Sequence, residues 1–74
     1  MENKVQEIVA TILGLDRSDI NIDSSSESVD TWDSLNHMNL IMAIEEEFEV
    51  TFEEEEIIEM TSVKALVDFL EKNA

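Results

Sequence analysis

Asp33-Ser34-Leu35 is the stretch of this chain best placed to do chemistry, because it sets a hydroxyl at the mouth of a helix. Asp33 is a good N-cap, and an apolar pattern resumes after it at Leu35, Met38, Ile41, Ile44 and Phe48. Ser34 is then the first helical residue, at the rim of the preceding loop, within reach of an outside enzyme. The positive end of the helix and its first-turn amides favour a phosphate group added there. Leu35 is expected to turn into the core and hold the turn in place. Serine after a capping aspartate is also ordinary helix chemistry, so the triplet alone does not separate a modified serine from a structural one.

Other reactive groups are scarce. The chain has no cysteine, hence no thiol nucleophile and no disulfide framework, which suits a reducing compartment. His37 is the single histidine. Three residues along a helix from Ser34 is a poor geometry for attack, and no acid is placed to orient the ring, so His37 reads as a surface contact. Residues 19–30 mimic the spacing of a calcium loop through Asp19, Asn21, Asp23, Ser25, Glu27 and Asp30. Ser24, however, stands where that turn needs Gly, and Asp30 where a longer Glu gives bidentate reach. No catalytic residue and no metal site is expected.

The elements that must position Ser34 are helical. Seventy-four residues with no Pro and one Gly, rich in Glu, Leu, Ile, Val, Met and Ala, favour helices over hairpins. A hydrophobic share of 43% is too high for a disordered acidic tail. Val5, Ile8, Val9, Ile12 and Leu13 form the stripe of a first helix over about Asn3 to Leu13, stopped by Gly14. Residues 16–32 lack periodicity and read as a long loop anchored by Ile20, Ile22 and Val29. Trp32 is a further loop anchor. The second helix runs from Ser34 to Phe48, with Leu40 and Met42 widening its stripe. A short acidic helix follows around Glu53–Ile58, and Thr61 or Ser62 caps a last helix with Val63, Leu66, Val67 and Leu70 inward and Phe69 beside them. The expectation is one all-α domain over residues 1–74, a four-helix bundle with a short third helix and a long loop between helices one and two.

Charge narrows the partners. Nineteen acids face four bases for a net charge of −15, and no Lys or Arg lies between Ser18 and Val63. Such a field repels nucleic acid and anionic lipid and attracts basic protein surfaces. Glu45, Glu46, Glu47 and Glu49 crowd the end of the second helix, where the macrodipole favours cations. A local rule broken this way, with no basic neighbour in sequence, marks either a tolerated solvated end or a face kept for a basic partner. Glu2, Lys4 and Glu7 interrupt the first fifteen residues where a signal peptide needs an apolar run, so a soluble cytoplasmic protein is expected.

Asp33-Ser34-Leu35, followed by Met38, Ile41 and Met42-Ala43-Ile44-Glu45-Glu46-Glu47-Phe48, resembles the acyl carrier protein family. Ile12-Leu13-Gly14-Leu15 is similar to the family's end of helix one, and Met60-Thr61-Ser62-Val63 to its approach to helix four. The likeness covers nearly the whole chain. It implies an acyl-carrier-like bundle of the free-standing type, with 4′-phosphopantetheine attached to Ser34 by a phosphopantetheinyl transferase and Asp33 and Leu35 beside the attachment point. It further implies that acyl groups of fatty acid, polyketide or related biosynthesis are held as thioesters and delivered to basic-surfaced acyl-transfer, condensing or ligase enzymes. The protein would be a monomer that carries rather than catalyses. Family carriers can also fold the acyl chain between their helices, which points to Met38, Met42 and Ile57 as a pliable lining.

The sequence departs from the family's fatty acid synthesis pattern at Trp32, where a small residue is usual, and at Asn36, His37 and Asn39, which replace early acids. The acidic face is thereby shifted toward the far half of helix two. Trp32, Asn36, His37, Asn39, Met42, Glu45, Glu46 and Glu49 are the expected partner-facing residues. A Trp-Asp-Ser-Leu start looks more like dedicated carriers of specialised pathways, including aminoacyl and D-alanyl carriers. From another class, an unmodified acidic helical adapter would present the same fold and the same charge.

Overall fold

A computed structural model describes residues 2–73. Helix α1 spans Glu2–Leu13, α2 Ser34–Phe48, α3 Glu54–Glu59 and α4 Val63–Asn73, with one 3-10 turn at Arg17–Asp19 inside the long loop. α1 ends as its sequence predicts. Gly14 takes φ +72°, its N–H donates to Thr11 O, and the Leu15 N–H reaches Ala10 O at 2.9 Å. These two bonds form a Schellman stop, which needs a residue free to enter the left-handed region. None of the helices is long and apolar enough to cross a membrane.

α1 packs against both α2 and α4. The core between them consists of Val5, Val9 and Leu13 from α1, Leu40, Ile41 and Ile44 from α2, and Val63, Leu66, Val67 and Leu70 from α4. Ile20, Trp32, Phe52 and Met60 close it from the connecting segments. Phe69 is partly buried, with its ring 4.4 Å from that of Phe52. The expected α1 stripe is rotated: Ala10 and Gln6 are buried, while Ile8 and Ile12 are only partly so. Gln6 tolerates burial because its amide donates to Glu2 Oε2.

The long loop is draped over the bundle and fastened at several points. Ser26 N–H donates to Thr61 O and Val63 N–H to Ser24 O, an isolated antiparallel bridge that ties the loop to the start of α4. Arg17 donates to Ile20 O and to Asn3 Oδ1, tying it to α1. Ser62 Oγ accepts from Ala65 N–H and so caps α4, the second of the two expected caps. The acids of α3 sit at its positive end, where Glu53 and Glu56 form a reciprocal cap through the Glu53 N–H.

Two consequences concern charge and the end of α2. Among the described residues the one ion pair is Lys4–Glu47, at 4.0 Å and half exposed, which stabilises little. Self-repulsion from −15 is therefore barely offset. Thermal unfolding followed by circular dichroism should shift upward by at least ~4 °C on going from low salt to about 0.15 M, where the screening length falls to about 8 Å. Divalent cations should act at lower concentration. Equal midpoints would contradict this account. α2 stops at Glu49, which takes φ 54° and ψ 47° without being glycine. Glu49→Gly removes that strain and an acid from the negative end of the helix, so urea denaturation should show a gain of about 0.5–1 kcal/mol.

Candidate functional site

Ser34 lies where the sequence puts it, exposed and first in α2. Asp33 is extended (φ −96°, ψ −177°), and its carboxylate accepts the Asn36 N–H at 2.9 Å while its carbonyl accepts the His37 N–H at 2.8 Å. The cap fixes the first turn and leaves the hydroxyl on the rim. A group attached there needs an accessible oxygen and open surroundings, and the exposed Asp33, Ser34 and Leu35 provide both.

Leu35 corrects the sequence expectation. It is 73% exposed rather than turned into the core. The core-facing stripe of α2 is centred on Leu40, Ile41 and Ile44, and positions 35, 38 and 42 fall on the opposite face of a 3.6-residue helix. Met42 is 60% and Met38 45% exposed, so these methionines do not line the interior either. The outer face of α2 instead carries an apolar run, Leu35, Met38 and Met42, that begins beside Ser34. Asn39 and Glu46 are exposed on the same helix, and Glu49 at its C-cap. From Ser34 to Glu46 is about 18 Å along the axis at 1.5 Å per residue. Met38, and Ile58 on α3 at 70% exposure, are surface residues that the sequence reading did not assign to a partner.

The turn is held by polar bonds where Leu35 was expected to hold it. Trp32 is 4% exposed, which removes it from the partner-facing set. Its indole Nε1–H donates to His37 Nδ1 at 3.0 Å, and His37 Nε2 lies 2.7 Å from Ile57 O. With Nδ1 accepting, Nε2 must carry the proton and donate to the carbonyl. The half-buried His37 thus joins the loop, α2 and α3, rather than serving as a free surface contact. Asn36 is half-buried, its side-chain amide donating to Thr31 O of the loop at 2.8 Å in an exposed bond.

Glu45 also departs from the free acidic face. It is half-buried, and Oε2 accepts the Phe52 N–H at 2.9 Å, which pins the segment after α2. The acidic end of α2 is not without a basic neighbour, because Lys4 of α1 reaches Glu47 across the α1–α2 seam. Of the partner-facing residues expected from sequence, Asn39, Met42, Glu46 and Glu49 remain exposed, while Trp32, Asn36, His37 and Glu45 are engaged within the protein.

A family model described as a phosphopantetheine attachment site matches residues 3–70. The solution NMR structure of a holo acyl carrier protein from Geobacter metallireducens is similar, with a TM-score of 0.83 and 28% identity. That match covers 96% of this chain and 82% of the other.

Proposed function

This chain belongs to the phosphopantetheine-attachment family of carrier proteins, non-catalytic bearers of 4′-phosphopantetheine, and on that premise we propose that Ser34 is its attachment residue. The observation that carries this reading is an exposed serine at the first position of α2, in a turn fixed by the Asp33 cap and flanked by the exposed Leu35. Positive helix-end potential there favours a phosphodiester. When bound, the arm supplies a terminal thiol, which a chain without cysteine lacks, and that thiol holds acyl groups as thioesters. Residues 1–74 act as a single carrier domain in the cytoplasm.

The chain's own residues do the positioning. Asp33 orients the first turn, and the outer face of α2 offers visiting enzymes an apolar strip at Leu35, Met38 and Met42. Glu46 and Glu49 draw basic enzyme surfaces to the far end of the same helix. The first visitor is a phosphopantetheinyl transferase, and later ones load, extend or remove the acyl group in fatty acid, polyketide or related biosynthesis. With Asn36 and Asn39 uncharged, charge-guided contact is concentrated away from Ser34. This distribution favours dedicated enzymes of a specialised pathway, aminoacyl and D-alanyl transfer included. The unmodified-adapter reading loses its ground with the family match.

Protein isolated from its native cell tests the reading. Mild base should release a carboxylic acid or an amino acid from a thioester on the Ser34 peptide, and mass spectrometry of the released group names the cargo. A Ser34 peptide that is unmodified throughout the population would contradict the proposal.

A further inference from the structure

The geometry points to a carrier whose cargo stays outside the bundle, because the relay Trp32–His37–Ile57 clamps α3 against the first turn of α2. This rests on the attachment reading above and adds the class of cargo to it: a short or polar acyl group rather than a long apolar chain.

A chain attached through Ser34 that sought the interior would meet the elements around that end of the bundle. They are the loop before α2, the first turns of α2, and α3. All three meet at one ring. The loop contributes the buried indole of Trp32, α2 contributes His37, and α3 contributes the Ile57 carbonyl. The Trp32 and His37 rings lie at 28° to each other with centroids 6.4 Å apart, so apolar area accompanies the polar bonds. The Asn36 amide adds a further tie to Thr31 O beside them. Parting α2 from α3 breaks the His37–Ile57 hydrogen bond, a loss that the burial of methylenes would first have to offset.

The interior beyond admits a chain only by repacking. The core is close-packed, and its fully buried Val5, Val9, Ile41, Ile44 and Val63 are β-branched and stiff at χ1. Among the described methionines, the side chains best able to repack, Met38 and Met42 are outside and only Met60 is buried. A cargo that gains nothing by entering must be compatible with water, which selects short or polar acyl groups.

The test loads the full chain from acetyl- and octanoyl-coenzyme A with a promiscuous phosphopantetheinyl transferase. Intact mass confirms loading before anything else is read. A chain that takes no arm removes the attachment reading, whereas a loaded chain tests this inference alone. Trp32, the single tryptophan, reports from the clamp by its emission, and methyl resonances of Ile41, Ile44 and Leu66 report from the core. The expected result is that acetyl and octanoyl forms agree in both signals, and that hydroxylamine cleaves their thioesters at rates within about twofold. An octanoyl form with moved core methyls, blue-shifted or quenched Trp32, or cleavage slowed tenfold would overturn the inference. So would movement of the Ile8 and Ile12 methyls in the groove between α1 and α2, since that too is sheltered lodging. In His37→Ala the octanoyl group, and not the acetyl group, should move the core methyls. Continued exclusion from a folded His37→Ala protein would overturn the role given to the relay.

Discussion

Ser34→Ala is expected to abolish arm attachment completely while leaving the thermal midpoint within about 2 °C of the parent. Ser34 is exposed, and the bonds that shape its turn belong to Asp33, Asn36, His37 and Trp32. Alanine is the best helix former, so backbone preference is not lost at the first position of α2. Only the oxygen that would be esterified disappears. Six other serines remain at positions 18, 24, 25, 26, 28 and 62, and they serve as internal controls. An arm still present on Ser34→Ala would place the attachment elsewhere. Loss of folding together with loss of attachment would mean that Ser34 is part of the scaffold.

Trp32→Ala is expected to remove roughly 3–5 kcal/mol of stability, the range for truncating a buried large aromatic side chain. The loss combines a cavity under the loop with a His37 Nδ1 left without its donor. In a domain of this size that is a large part of a total of about 5–15 kcal/mol. Trp32→Phe keeps most of the apolar contact and forfeits only the hydrogen bond, so its loss should be nearer 1–2 kcal/mol. Urea denaturation of the three proteins separates packing from hydrogen bonding. A Trp32→Ala protein with the parental midpoint would mean that the indole fills no essential space.

Helix existence and ends were legible because local chemistry dictates them. Asp33 and Phe48 bracket α2 through a cap and the end of an apolar stripe, and Gly14 stops α1 through its left-handed backbone. The place of Ser34 at the head of α2 was legible for the same reason. The facing of α2 was harder, since Leu35, Met38, Leu40, Ile41, Met42 and Ile44 put apolar groups on most of its circumference. One signal was present: the stripe through Ile41 and Ile44 finishes on Phe48, while the stripe through Leu35, Met38 and Met42 runs into Glu46 and Glu49. A face that ends in glutamates belongs to solvent.

The remaining features are tertiary and leave no local signature. His37 accepts from Trp32 five residues back and donates to Ile57 twenty residues on, a combination no helical or strand period encodes. Lys4 meets Glu47 only because α1 packs on α2. Glu45 turns to the Phe52 N–H, although its place in an acidic run matches that of its exposed neighbour Glu46. Trp32 is buried, and Asn36, His37 and Glu45 are half-buried and hydrogen-bonded within the protein, which a run of polar and acidic residues does not reveal. Of the four residues that remain on the surface, Asn39, Met42 and Glu46 lie on the same helix as the exposed Leu35 and Met38, and Glu49 caps its end.

The most direct measurement is intact and fragment mass spectrometry of the unmodified chain after incubation with coenzyme A and an active phosphopantetheinyl transferase. A gain of one 4′-phosphopantetheine, with the fragment ions placing it on Ser34, is the predicted result. An unchanged mass, or a modification localised to any other serine, would contradict the claim that this hydroxyl at the head of α2 is the protein's working group.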